Sequence, residues 1–199
     1  MTAVVYIVVM PLIVELLHSD AQPPRRATEG SAGYDLCAYL RGRAIKCSDG
    51  QRTWDALVAS NELDRELGSD SISSEMESDP NSRHTNSECR FVLPSGVTAL
   101  VPLGFKARMP DGVEAQIRPR SGTTFKKGVQ IPNAPGTIDS DYPDEWMVIV
   151  RNPTEHPIHI AHGERIAQMV LARYEVLEVE TGSVSVTTTR VGGFGSTGR

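Results

Sequence analysis

Positive charge is not in excess in this sequence. Its 199 residues hold 20 Lys and Arg against 25 Asp and Glu, a net charge of −5. A broad nucleic-acid-binding surface needs a basic surplus, so no nucleic-acid partner is expected. Cysteine is scarce: Cys37, Cys47 and Cys89 form no C-x-x-C spacing, and an odd number cannot pair completely. Reduced thiols in a cytosol-like compartment follow, with the nucleus open for a eukaryotic or viral source. Long apolar runs are lacking too. The longest, "MTAVVYIVVMPLIVELL", is interrupted by Pro11, has no basic residue before it and no small-residue cleavage site after it. It falls short of the ~20 residues that span a bilayer, so neither an export signal nor a membrane span is expected. A buried β-strand is the better reading. Met10 offers a second candidate start, which would leave residues 1–9 as an upstream extension.

What is abundant is turn chemistry, with 17 glycines and 13 prolines. Strand-like runs recur between them: "RFVLP" (90–94), "VTALVPL" (97–103), "VEAQIRP" (113–119), "WMVIVRN" (146–152) and "RIAQMVLARYEVLEV" (165–179). Pro94-Ser95-Gly96 and Pro110-Asp111-Gly112 punctuate the gaps. Short strands at close spacing indicate an all-β sandwich or barrel, built as one domain over 1–199.

Residues 41–90 differ from this pattern and read as an insertion. Within them "TWDALVASNELDREL" (53–67) sets Trp54, Leu57 and Val58 at helical spacing, which predicts a short helix. The serine-rich, acidic stretch 68–88 has too little apolar surface to offset its ordering entropy, which predicts a disordered loop. The insertion is also the candidate contact for a protein partner.

Three segments carry chemistry on their face. In "IRPRSGTTFKKGV" (117–129) Arg118 and Arg120 run into Ser121-Gly122, and arginine, hydroxyl and free backbone N–H groups together suit a phosphate oxygen. In "NAPGTIDSDYPDEW" (133–146) Asp139, Asp141, Asp144 and Glu145 gather around Tyr142, where a carboxylate beside a polyphosphate could deprotonate a water. The histidines of "HPIHIAH" (His156, His159, His162) step by three, so an extended chain points neighbours to opposite faces; they read as surface or turn residues, not metal ligands. The tail "RVGGFGSTGR" (190–199), taken alone, reads as a frayed end.

Beside "GSAGYDLCA" (30–38) and "GERIAQMVL" (163–171), those segments fall into an order and spacing that resemble the five motifs of the trimeric dUTP pyrophosphatases, the dUTPase family. The resemblance runs from Ser31 to Gly198. It implies a mainly-β, jelly-roll or β-barrel subunit with short helical elements, assembled as a homotrimer with shared active sites. The implied reaction is hydrolysis of dUTP to dUMP and pyrophosphate with Mg2+, limiting uracil in DNA and supplying dUMP. A dCTP deaminase or bifunctional relative of the same fold, and a dUTPase-like regulatory protein, are the alternatives.

By the same resemblance, Asp35 would hold the water shell of a magnesium ion on the triphosphate. Arg120, Ser121 and Gly122 would grip phosphates, and Gln168 would contact the same network. The segment from Asn133 to Tyr142 would form the nucleoside hairpin, and its backbone groups around Gly136, Thr137 and Ile138 would read the uracil edge. Asp139 would activate the attacking water, and Tyr142 would pack on the deoxyribose. In the tail, a C-terminal arm over 190–199, Arg190 would meet the phosphates and Phe194 would stack on uracil. Gly195, Ser196 and Thr197 would wrap the γ-phosphate. Such an arm has to be mobile when empty and ordered when liganded. Two places depart from the usual pattern: Pro143-Asp144 stands where Arg-Gly is common, and the tail has one residue fewer between Arg190 and Phe194.

Overall fold

Left-handed glycines mark the turns foreseen from Pro94-Ser95-Gly96 and Pro110-Asp111-Gly112. Gly96 and Gly112 take φ 73° and 76°, and each turn closes with an N–H donated to the proline carbonyl, Val97 to Pro94 and Val113 to Pro110. The structure is a computed structural model that describes residues 11–60, 89–185 and 187. In chain order its strands are β1 (Ile13–Leu16), β2 (Arg25–Arg26), β3 (Tyr34–Cys37), β4 (Ala44–Ser48), β5 (Thr53–Leu57), β6 (Ala59–Ser60) and β7 (Cys89–Leu93). They continue as β8 (Thr98–Pro102), β9 (Phe105–Arg108), β10 (Val113–Arg118), β11 (Gly136–Ile138), β12 (Met147–Arg151), β13 (Ile158–Ala161) and β14 (Arg165–Arg173). Helix α1 (Ser121–Lys127) lies between β10 and β11.

Every strand pair is antiparallel. A five-stranded sheet runs β11-β10-β14-β3-β2, a four-stranded one β12-β8-β4-β5, a three-stranded one β13-β7-β6, and β1 pairs with β9. Period-two burial builds the core: Phe91 and Leu93 on β7, Ile158 and Ile160 on β13, and Val148 and Val150 on β12 point inward. Leu36, Leu103, Phe105, Trp146, Ile166 and Met169 close the interior. The mainly-β, jelly-roll expectation agrees with this architecture; four of the strand runs read from the sequence are strands, and the fifth, 165–179, is a strand only as far as Arg173, with 174–179 exposed and outside any strand.

Three expectations are corrected. Residues 53–57 are a strand, not the start of a helix, because β5 pairs with β4 from Ala44↔Leu57 to Ser48↔Thr53 and alternates in burial; residues 61–67 lie outside the described part. The contrast expected between residues 41–90 and the strand-built body also fails where described. Ile45 and Cys47 are fully buried in the core, and β4 pairs with β8, so 44–57 is part of the body of the fold. The loop read over 68–88 lies outside the described residues. Finally, the buried N-terminal strand is an edge strand where described: in β1, Ile13 is 61% exposed and Leu16 41%. Residues 1–10 are outside the described part.

All three cysteines are free thiols. Among the described residues no helix is long and apolar enough to cross a membrane.

Candidate active site

The register of the five-stranded sheet draws three of the sequence motifs into one row. Arg25 pairs with Asp35, Asp35 with Gln168, and Gln168 with Arg118. Leu36 points into the core, so its neighbour Asp35 faces the other way. Its side chain is only 17% exposed, between two guanidinium groups. Arg120 donates from Nε to Oδ1 at 2.7 Å, and Arg165 from Nη1 to Oδ2 at 3.2 Å.

Arg120 is the N-cap of α1, with extended backbone at φ −91° and ψ 131°. The 117–129 segment thus folds as strand, cap and helix, placing Ser121 and Gly122 on the first turn directly after the arginine. Gly128 ends the helix at φ 71°, its N–H donated to the Thr124 carbonyl. Lys127 at the last turn pairs with Glu164 at 2.6 Å, which ties the helix to the turn before β14.

Gln168 is held from two sides. Its Nε2 donates to the Pro119 carbonyl at 2.9 Å. A Cβ at Gly33 would overlap its Oε1, so the glycine of "AGYDL" is needed for a close approach and not for an unusual φ.

Arg165 escaped sequence reasoning. In a regular strand, residues 165 and 168 would point to opposite faces. A β-bulge between Arg165 and Ala167 inserts one residue, so Ile166 and Ala167 are both buried and Arg165 and Gln168 both reach the site. No spacing rule reveals a bulge. Thr123 was also missed: its hydroxyl donates to the Arg165 carbonyl at 3.2 Å.

Cys37 sits beside this cluster. Burial, then the Asp35 charge, pushes its thiol up to about 11. It stays protonated at neutral pH, so the centre has no thiolate nucleophile.

The nucleoside segment splits into two parts. Asn133 packs so tightly on buried Gly136 that a Cβ there would lie 2.7 Å from Nδ2. Thr137 and Ile138 continue β11 alongside Gln116 and Ala115. A shallow cleft lined by Arg118, Pro119, Ala134, Pro135 and Gln168 joins the start of this segment to the end of β10 and Gln168. Asp139 and Tyr142 lie elsewhere. The Tyr142 N–H donates to the Asp139 carbonyl at 3.2 Å, closing an exposed turn. Tyr142 lines a second cleft, of 380 Å³, against Ile13, Lys106 and Arg108. By register, Asp139 is about four residues, or ~13 Å, along the strand direction from the Asp35 row, and three strands, ~14 Å, across it. The chain thus assembles Asp35, Arg120 and Gln168, with Ser121 and Gly122 adjoining. It does not bring Asp139 or Tyr142 to them. Arg190, Phe194, Gly195, Ser196 and Thr197 lie outside the described residues.

Of the three histidines read as surface or turn residues, His162 lies in the turn after β13 but is not at the surface. It is 7% exposed, and its Nδ1 accepts the Leu40 N–H at 3.1 Å. Among the described residues no group of three or more His, Cys, Asp or Glu is placed to hold a metal ion.

An antiparallel β-subunit whose arginine-flanked carboxylate adjoins a strand-to-helix turn is an arrangement suited to a nucleotide hydrolase. Residues 84–198 match the dUTPase family, and the chain belongs to it. Solved structures share the fold. The dUTPase from phage phi11 of S. aureus, seen with its species-specific insert, superposes with TM-score 0.60 at 16% identity, covering 90% of this chain and 100% of that one. The Streptococcus mutans dUTPase gives 0.53 at 21%, with 83% and 98% covered. The Staphylococcus bacteriophage 80alpha dUTPase, a mutant with dUpNHpp, gives 0.58 at 18%, with 91% and 95% covered.

The activity that comes with the family is hydrolysis of dUTP to dUMP and pyrophosphate; the deaminase alternative is not favoured. Magnesium is its metal, and a mutant of the phi11 enzyme is described with a structural Mg(II) ion. The residues fit such an ion. Asp35 is a hard oxygen donor whose two oxygens each receive one hydrogen bond, leaving lone pairs for water. An ion bound chiefly through substrate phosphates and water needs no protein cluster.

Proposed function

We propose that the Asp35 cluster is the phosphate end of the dUTP site and that the Asn133–Tyr142 segment is its nucleoside end, the two ends being supplied by different copies in a homotrimer. The observation that carries this reading is their separation within one chain. One water cannot touch both Asp139 and a phosphate held at Asp35 across about 19 Å, whereas near-attack geometry needs about 3 Å. Exposed Ile13, Leu16 and Met147 on the isolated subunit suit burial between copies.

In this site Arg120 and Arg165 face the charge that grows on the departing pyrophosphate. Ser121, Gly122 and Gln168 orient the phosphates. Asp139 takes the proton from the water whose oxygen bonds to the α-phosphorus, and the bond to the α,β-bridging oxygen breaks. Asp35 would hold the water shell of a magnesium ion, which when bound would neutralise triphosphate charge. Asn133, Gly136, Thr137 and Ile138 present backbone groups to uracil, and Tyr142 packs on the sugar. By the family motif, Arg190, Phe194, Gly195, Ser196 and Thr197 would contact the substrate. The compartment that fits is cytoplasmic.

The test is turnover of dUTP, dCTP and dTTP by pure protein, with Asp139→Asn alongside. Selective dUTP turnover that falls by roughly 100-fold or more in the variant, with binding kept, is the expected result. Near-normal turnover in the variant removes Asp139 from its role. A protein partner is the second reading for the segment ending at 90. The phage 80alpha dUTPase is described as controlling transfer of virulence genes, which makes pull-down with and without residues 61–88 worth measuring.

A further inference from the structure

Glu145 closes the return leg of the turn that carries Asp139 and Tyr142. Its side chain is only 11% exposed, yet it is a carboxylate. Both oxygens are occupied: Oε1 accepts the Gly104 N–H at 2.9 Å, and Oε2 accepts Arg43 Nη2 at 2.5 Å. The next residue, Trp146, is fully buried, and its backbone exchanges hydrogen bonds with Phe105 and Leu103 on either side of Gly104. Residues 139–144 before it are exposed or half-buried. The leg is therefore pinned at Glu145–Trp146, and the substrate-facing turn hangs from that pin.

Arg43 is itself held in place. Its N–H donates to the Leu40 carbonyl at 3.2 Å, and Gly42 before it takes φ 64°. Its Nη1 lies 3.4 Å from His18 Nε2. Gly104, on the far side of Glu145, adopts φ 74°, and a Cβ there would lie 2.8 Å from Tyr39 Cγ and 2.9 Å from Ala21 Cβ. A shift at Glu145 is thus resisted from two directions, one of them ionic.

We infer that Arg43 and Glu145 form a strut that positions the nucleoside turn, making Arg43 a positioning residue for dUTP binding although it lies outside every substrate-contacting segment. The inference rests on assigning Asp139 and Tyr142 to the nucleoside end. Removing the guanidinium leaves a mostly buried carboxylate with one N–H partner, and it relaxes toward water. The turn moves with it, while the Asp35 cluster, on other strands, keeps its geometry.

The experiment measures inhibition of dUTP hydrolysis by dUMP and by pyrophosphate, which probe the two ends separately. In Arg43→Gln, KM for dUTP and the dUMP inhibition constant should each rise about tenfold, with pyrophosphate inhibition within about twofold of wild type. Arg43→Lys should recover much of the loss. An equal loss of both inhibitors, or an unchanged dUMP constant, overturns the strut. If Arg43→Gln does not fold, Glu145→Gln, which keeps an acceptor for Gly104 and loses the ionic partner, is read by the same criterion. Asp139→Asn run in parallel separates the two ideas. Normal turnover there sinks the nucleoside assignment, whereas an impaired Asp139→Asn with a neutral Arg43→Gln sinks only the strut.

Discussion

At the scale of single residues, identity matters most where two groups approach too closely for an alternative. Gly33 is such a place. A methyl group there displaces the Gln168 amide from its bond to the Pro119 carbonyl. Gly33→Ala should lower kcat/KM for dUTP by roughly tenfold, as expected for a misplaced substrate contact, and move the melting temperature little, since the displaced side chain is half-exposed. A normal kcat/KM would mean that Gln168 is not a phosphate ligand. His162 supplies a pH effect. Burial, then the Arg41 charge, lowers its pKa below the ordinary 6.5, against the pull of Asp20. Protonation at Nδ1 would set two N–H groups face to face, His162 against Leu40. Asp20, Arg41 and Tyr39 complete the surroundings. A depressed histidine contributes stability in full above its unfolded pKa and loses it as pH falls from about 6.5 through the folded value. Wild type should therefore lose melting temperature over that window more steeply than His162→Asn, which keeps an acceptor for Leu40. Parallel melting curves would remove this role.

At the scale of elements, the strands set between proline and glycine turns were legible, because short apolar runs and their turn residues survive in one sequence. So were Asp35, Arg120 and Gln168, through the motif order alone. What stayed hidden depends on which segments pair with which. "TWDAL" has apolar residues at spacings that serve a helix as well as a strand, and its partner β4, nearby in sequence, decides for the strand. The bulge that turns Arg165 toward Gln168 is set by the pairing with β3 and has no local signature. His162 could not be recognised as buried because its partner, the Leu40 N–H, is 122 positions away. The reassignment of 44–57 can be measured. Ile45 is fully buried, so Ile45→Ala should destabilise the fold by about 2–5 kcal/mol, the range for truncating a core aliphatic side chain. Chemical denaturation showing under about 0.5 kcal/mol, the range for surface substitutions, would return this segment to the status of a surface insertion.

At the scale of the whole molecule, the proposal that the Asp35 cluster and the Asp139 turn are the two ends of one site calls for assembly, because the register holds them apart on one chain. Sharing makes a prediction that no intramolecular site can meet. Asp35→Asn disables the phosphate end of a copy and Asp139→Asn disables the nucleoside turn of a copy. Each homotrimer alone carries the same defect at all of its sites. When equal amounts are unfolded and reassembled together, copies mix at random. A working site then needs its phosphate end from a copy with intact Asp35 and its turn from a copy with intact Asp139. Two independent draws at one half each give about one quarter of wild-type activity, regained from two inactive parents. Light scattering should show a trimer throughout. If the reassembled mixture stays inactive while wild type treated the same way recovers, each chain must complete its own site. Asp139 would then have to reach the Asp35 cluster by a rearrangement of β11 and the turn that follows it.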